Sequence, residues 1–530
     1  MKTGNIKPIV LAIMLIALCT QTLHAQVTTA TLSGFVRNAK NQPMAGATIT
    51  IQFEDAGLKL NTVSKADGRF TVPNLRVGGP YKISASYTGF ENVSVDTIFL
   101  ELGQNNFVEL EFVQKTTELA GVTVTGTRAV DNKKTGASTN ISNKLIRDLP
   151  TISRSADDYL RLTPSASPTY NGMSFAGRNG QYNNFSLDGA VFNNPFGLDA
   201  PTPGGQSNAQ PISLDAIDQI QVNIAPYDVT QAGFTGAGVN TVTKSGTNKT
   251  YGTIFGFYRN QDMTGKKIAG SKIVVPSLSD LQAGASLGGP IIKNKLFYFV
   301  NFETQQRKDE ATSYVARNAN NINNANTSRV LEQDLIDVSN ILKNRFGYNT
   351  GPYQGFTFSQ VNYKWLAKLD WNISDVHKLT FTYNGLDAYL DKPAHPSAIG
   401  RRGPDYYTLQ FRNSGYRIVN KLNSFNVELK SNFSSKYANK LRLVYTAFRD
   451  HREPFSTPFP VINIDKNGLR YIVAGHEPFS INNILNQDAF QATDNFNIFL
   501  NKHSLTIGAT FESFKFGNSF NLVGYGPAIF

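Results

Sequence analysis

Cysteine is nearly missing from this chain. Of its 530 residues one is cysteine, Cys19, and it falls within the first 25. Those residues, 1–25, read as a signal peptide. Lys2 and Lys7 make a basic start, residues 9–18 are apolar, and Leu23-His24-Ala25 ends on a small residue suited to cleavage. The bulky Leu18 before Cys19 argues against lipidation. With that segment removed, no disulfide and no thiolate chemistry remains. Long apolar runs are also missing. The stretch at 9–18 is too short to span a bilayer as a helix. Mean hydropathy is −0.26, which argues against a helical membrane protein but not against alternating strands.

Histidine is sparse and dispersed: His24, His377, His395, His451, His476 and His503, with no pair at metal-ligand spacing. No HExxH, GxSxG or Walker sequence occurs. The glycines of residues 233–238 lack GxGxxG spacing and suit close backbone packing instead. Asp188-Gly189 reads as a turn, because the alternating carboxylates of a calcium loop are missing. The expectation is therefore no enzyme, no metal and no cofactor. The net charge of +12 is scattered and not gathered into a stripe with stacking aromatics, so no nucleic-acid partner is expected.

What is present is strand, in several styles. Residues 26–114 read as a small β-sandwich. Residues 31–37 and 47–53 alternate, Asp67-Gly68 marks a hairpin, and 81–87 and 107–112 supply later strands. Residues 115–128 form a linker holding the β-prone run Val122-Thr123-Val124-Thr125. Residues 129–248 are rich in Gly, Asn, Ser and Thr and are too polar to build a large apolar core alone. Ser142, Ser155 and Ser213 are predicted to cap short helical turns there, and Leu149-Pro150 to end the first. From 249 to 530 the strands lengthen. Residues 363–373 set Tyr363, Trp365, Leu369 and Trp371 against Lys364, Lys368 and Asp370. Similar alternation occurs at 377–384, 425–430 and 505–511. A large soluble sandwich would show shorter strands and a more aliphatic inner face.

Short connections (288–295, 374–376, 434–439, 501–502) alternate with long ones (261–278, 308–359, 388–416, 451–487), as in outer-membrane barrels. Aromatics make up 11% of the chain, with 36 Phe and 22 Tyr against 2 Trp, which suits rings facing lipid or forming interfacial girdles. The alternation yields about nine strands, an odd count, and Pro527 interrupts any last strand. The expectation is a C-terminally truncated chain carrying part of a barrel.

The pieces SFAGRNGQYNNFSLDGA (174–190), PISLDAIDQIQV (211–222), APYDV (225–229) and GFTGAGVNTVTKSGTN (233–248) follow one another in this order. Together they resemble the plug of TonB-dependent outer-membrane receptors, in particular the Oar-like group. The first domain resembles the carboxypeptidase-regulatory-like module that precedes many of them. The resemblance implies a mainly β architecture: an N-terminal Ig-like β-sandwich, an α+β plug, and part of a transmembrane antiparallel β-barrel of ~22 strands. It implies an outer-membrane transporter importing a siderophore, glycan, oligopeptide or protein, with the TonB energy-transducing complex, outer-membrane lipid and an extracellular cargo as partners. Val122, Thr123, Val124 and Thr125 would be the TonB box, adding a strand to the partner's sheet; the second reading is the first plug strand, and the run is long enough to serve both. Loop 191–210 would face cargo through Phe192, Asn193, Asn194, Phe196 and Asp199. Arg154, Arg178 and Asp188 are candidates for ionic contacts between plug and wall. A barrel-anchored adhesion or assembly protein, and a protein-secretion conduit, stay open as alternatives.

Overall fold

The computed structural model describes residues 27–529 except 115–127, 130–136, 152, 170–171, 195, 197–200, 225, 227, 232, 396–401, 501–502 and 522–526. The signal-peptide reading, Val122–Thr125 and Asp199 lie outside the described residues.

The first body is a two-sheet sandwich. One sheet runs Arg69–Leu75, Ala30–Asn38, Asn105–Phe112 and Arg128–Ala129; the other runs Leu58–Val63, Thr48–Phe53, Gly78–Ser86 and Val93–Leu100. Alternation turns one side of each strand inward. Leu32, Ile49, Ile51, Ile83, Leu110 and Phe112 make a dry core with no exposed surface. Gly68 closes the predicted hairpin at φ 76°, its N–H donating to Lys65 O at 2.9 Å.

The second body is a five-stranded mixed sheet ordered Ala190–Val191, Asn184–Leu187, Ala237–Thr243, Ile217–Ile224 and Ala137–Ser142. Ser142 caps helix Asn143–Asp148 by accepting from Leu145 N, and Ser213 caps the turn Leu214–Ala216 by accepting from Asp215 N. Ser155 differs from expectation. It makes no side-chain cap bond to its helix, Ala156–Leu160. Asp158 organises this corner instead, accepting from Ser153 N at 2.9 Å and from the Thr151 hydroxyl.

The third body is an antiparallel sheet of nine strands: Tyr251–Asn260, Leu278–Ile292, Leu296–Glu310, Thr357–Asn372, His377–Lys392, Tyr416–Asn432, Tyr437–Pro454, Ile484–Phe499 and Ser504–Ser519. Its strands run from ten to eighteen residues. The longest exceed the ~9–11 residues that a tilted strand needs to cross a bilayer. Among the described residues no helix is long and apolar enough to cross a membrane. The first and last strands do not pair with each other among the described residues. The outer face carries Phe302, Trp371, Phe425, Tyr445 and Phe511, all exposed. Trp365 lies over Gly385 on the neighbouring strand, where an added Cβ would meet its Nε1 at 2.0 Å; that nitrogen donates to Tyr383 Oη at 3.1 Å.

The long connections fold together, which sequence reasoning did not anticipate. Helix Glu332–Phe346 buries Leu335 and Leu342 against Leu409, Phe411, Tyr471 and Ile472 from two other connections. Gly347 ends it at φ 66°, with its N–H bonded to Lys343 O. Pro527–Ile529 pairs parallel with Val461–Lys466 in this cluster, so Pro527 opens a short edge strand outside the wall, a position at which proline is tolerated.

Candidate functional site: the plug–wall interface

Alternation along the wall strands sends one side chain in two toward the plug. In Thr357–Asn372 these include Asn362, Lys364 and Lys368; in Tyr416–Asn432 they include Asn420, Ser424, Asn426 and Glu428, all buried. Buried charge requires a partner, and the plug supplies several.

Asp188 sits at a hairpin tip with φ 46°, followed by Gly189 at φ 76°. Its carboxylate accepts from Thr243 N at 2.9 Å and Thr243 Oγ1 at 2.6 Å, and Oδ2 lies 3.5 Å from Lys368 Nζ on the wall. Its carbonyl accepts from the wall's Asn426 Nδ2 at 2.8 Å and Arg442 Nη1 at 3.4 Å. Gly189 is needed here, because a Cβ would lie 1.1 Å from Arg442 Nη1.

A second node joins plug Ser213 to wall Glu303. Ser213 Oγ donates to Glu303 Oε2 at 2.6 Å, while Lys364 Nζ and Gln282 Nε2 reach Oε1 at 2.8 and 3.0 Å. In a third, plug Asp215 accepts from wall Thr253 Oγ1 at 2.6 Å and lies 3.4 Å from Lys244 Nζ. Burial pushes the Asp215 carboxyl up. Lys244 and the hydroxyls of Ser286 and Thr253 more than offset this and hold it below its ordinary value. Asp157, where burial outweighs its bond to Gln210, is raised.

Of the other ionic candidates, Arg154 makes no ion pair among the described residues. Its guanidinium stacks 4.2 Å from the centroid of Phe255 and 4.8 Å from that of Phe257 on the first wall strand. Arg178 is exposed and has no ion pair to the wall among the described residues. It stands on a tight turn closed by Arg178 N donating to Phe175 O at 3.0 Å.

The interface also has an apolar part, so it is not uniformly polar. Plug residues Ile141, Leu187, Ile212, Leu214 and Val239 form one cluster with wall residues Phe299, Leu366, Leu386, Leu422 and Val444. The plug thus completes its core on the wall. Phe192 belongs to this cluster and is 2% exposed, so against expectation it is not on the loop's surface; its ring packs into the apolar cluster. Asn193 bonds inward too, accepting from Phe185 N at 2.8 Å, and Asn194 Oδ1 accepts from Phe196 N at 3.2 Å. Phe196 is 42% exposed, packs 5.7 Å from Phe516, and donates its N–H to Gln487 Oε1. A pocket of about 240 Å³ beside it is lined by Gln206, Ile418, Asp450, His451 and Arg452 on the long-loop side. A larger cleft of about 740 Å³ separates plug helix Ala156–Leu160 from wall residues Arg259, Gln282, Gln305 and Lys364.

Glu303, Glu428 and Arg442 were not singled out from sequence. Their signal was present: each is a charge on the polar face of an alternating strand. In the long-loop cluster, Arg402 is wholly buried, its Nε donating to Asn463 Oδ1 at 3.1 Å, and burial pulls its guanidinium down to about 10.

Comparison with known proteins agrees with this architecture. A carboxypeptidase regulatory-like domain model matches residues 31–115, and an outer membrane beta barrel domain model matches residues 242–361. The TonB-dependent transporter Oar of Myxococcus xanthus is 24% identical over 376 residues, covering 67% of this chain and 33% of that protein. The outer membrane transporter YddB from Escherichia coli superposes with a TM-score of 0.50 at 13% identity, over 71% of this chain and 48% of the other. The siderophore receptor PirA from Acinetobacter baumannii gives 0.46 at 17% identity, over 72% and 48%. The chain thus spans about a third of the curated relative it matches and about half of these solved receptors.

Proposed function

We propose that this chain, an Oar-like TonB-dependent receptor of the outer membrane with an N-terminal regulatory-like domain, serves in energy-driven import through the wall. One observation carries the reading. A plug with its own five-stranded sheet packs against the wall and is tied to it, beside one apolar cluster, by side-chain hydrogen bonds and ion pairs that water can replace. Such a plug can be displaced and can return.

The two ends of the assembly differ as an importer requires. Phe196 and its pocket lie toward the long connections, and the sandwich lies against the short turns, with Asn372 Nδ2 donating to Ala56 O at 3.2 Å. In sequence, Val122–Thr125 precedes the plug's edge strand Ala137–Ser142, and as a β-prone run it suits strand addition to a partner's sheet. The cargo surface comprises Phe196 and the pocket lined by Asp450, His451 and Arg452. Those charges and the aromatic ring suit a polar cargo with an apolar face.

The test is site-directed crosslinking from Thr123→Cys to the periplasmic domain of TonB, in protein whose Cys19 is replaced by serine. A crosslink is expected, and so is its loss when a peptide copy of 119–127 competes. Equal crosslinking from a cysteine at exposed Lys59 on the sandwich would sink the assignment. A second reading, a surface adhesion protein anchored by the wall, draws on the packed long-loop cluster around helix Glu332–Phe346; it needs no TonB contact.

A further inference from the structure

We propose that the N-terminal sandwich is a latch on the plug. Its turn at residues 101–104 clamps the plug's edge strand, Ala137–Ser142, and the neighbouring strand, Ile217–Ile224. The edge strand cannot peel away until the turn lifts. The proposal rests on the importer reading only for the direction of pull.

The placement comes first. Ala137–Ser142 is the outermost strand of the plug sheet and pairs with Ile217–Ile224 alone, from Ala137↔Ile224 to Ser142↔Gln219. It is also the first plug element after the linker. Traction on the linker meets the two-residue strand Arg128–Ala129 on the sandwich sheet first and then Ala137, ahead of the rest of the plug sheet. An edge strand held by one ladder is the weakest point of a sheet under such a pull.

The turn reinforces that point by bonding to both strands. Leu102 N donates to Gln219 Oε1 at 2.8 Å, and Gln219 Nε2 donates back to Leu100 O at 3.2 Å. Gln221 Nε2 donates to Leu102 O at 2.6 Å. On the edge strand, Asn140 Nδ2 donates to Glu101 Oε2 at 3.1 Å, and Gln104 Nε2 donates to Ser138 Oγ at 3.4 Å. Alternation puts Gln219 and Gln221 on one face of their strand and Ile220 and Val222 on the other. Both glutamines are buried, 7% and 1% exposed, so their amides need partners, and the sandwich turn provides them. Gly103, at φ 64°, permits the approach, since a Cβ there would lie 2.5 Å from Gln221 Oε1.

The turn cannot drift. Leu102 belongs to the sandwich core, and plug Val242 packs into the same cluster. Arg76 donates to Ser245 O at 2.8 Å and Gly246 O at 3.0 Å, and Thr28 Oγ1 donates to wall Glu428 at 2.9 Å. Most of the clamp bonds are between neutral groups, so water can replace them when the turn lifts. That is what a reusable latch requires.

The experiment is force spectroscopy on the full chain reconstituted in lipid, with Cys19→Ser and a handle at Asp131→Cys, past the strand Arg128–Ala129 that pairs with the sandwich. The Gln219→Ala/Gln221→Ala variant is expected to release the edge strand at a markedly lower first-rupture force than its parent. Identical rupture forces would overturn the latch. Amide exchange guards against a merely misfolded variant. Leu102 N–H should be protected in the parent and exchange at least ~10-fold faster in the variant, while Leu110 N–H in the sandwich core stays unchanged. A Leu102 amide already exchanging at the rate of an exposed loop in the parent would also overturn it. Neither readout involves TonB, so failure of the crosslinking test leaves this result standing, and the reverse holds.

Discussion

In strand Thr48–Phe53 of the sandwich, Ile49, Ile51 and Phe53 point into the core, and Thr50 and Gln52 point out. In strand Tyr416–Asn432 of the wall the arrangement is inverted: Asn420, Ser424, Asn426 and Glu428 are buried, and Phe425 is exposed. Both strands alternate with period two, and both belong to antiparallel pairs. What differs is the medium on each side. The sandwich meets water outside, so apolar side chains gain by turning inward. The wall turns its apolar face outward, as a barrel in hydrocarbon does, and packs its other face on a plug with polar and apolar parts, so its Lys, Glu and Asn side chains find partners inside. Burial therefore means two things in one chain: loss of water in the sandwich, and exchange of water for plug hydrogen bonds in the wall.

Three experiments probe that contrast. The largest effect is expected from Ile51→Asp, which puts an unpaired charge into the dry core and should cost at least ~4 kcal/mol, enough to unfold the sandwich. Gln52→Asp, one residue along and facing out, should stay within roughly 1 kcal/mol. The denaturant midpoint for proteolytic resistance of residues 27–112 within the full chain measures both. Equal effects would mean that the sandwich interior is not dry.

Lys364→Met comes next. It strands Glu303 in the wall interior and should destabilise the plug–wall assembly by ~3–5 kcal/mol. Adding Glu303→Gln should recover most of that loss, because the buried charge is removed along with its partner. Thermal midpoints of the two variants decide the matter. A silent Lys364→Met would show that packing, not charge pairing, holds the plug at this node.

The smallest effect concerns pH. The folded-state pKa of Asp215 lies below its unfolded value, so its contribution is complete above the unfolded value of ~3.9 and is lost as pH falls through the folded one. The difference in thermal midpoint between the parent and Asp215→Asn should thus be constant from pH 7 to about 5 and close below ~4. A difference that persists unchanged to pH 3 would assign the effect to shape and not to charge.

The elements that could be read from sequence are those set by near neighbours. Ser142 and Ser213 cap the turns assigned to them, because a cap needs only a hydroxyl and an N–H two or three residues on. The turn at Asp188-Gly189 was legible for the same reason, and so were the strands and the short connections. Helix Glu332–Phe346 was missed inside a connection, although Leu335, Val338 and Leu342 recur at helical spacing and Gly347 stands where a C-terminal cap belongs. The partners of Glu303 and Asp188 were not legible. Lys364 and Lys368 lie 61 and 180 residues away, and no local pattern encodes which inward charge meets which. Phe192 was misplaced because an aromatic ring in a Pro- and Gly-rich loop carries no sign of which way it turns.

By itself the sequence determined period, turn positions and the order of sandwich, plug and wall, because backbone geometry obliges alternation and glycine or proline at particular dihedrals. The tertiary structure alone decided which face of each strand is the inside, which charges are paired, and that the turn at 101–104 grips two plug strands. Those outcomes depend on surfaces brought together from distant parts of the chain and on the medium left outside them.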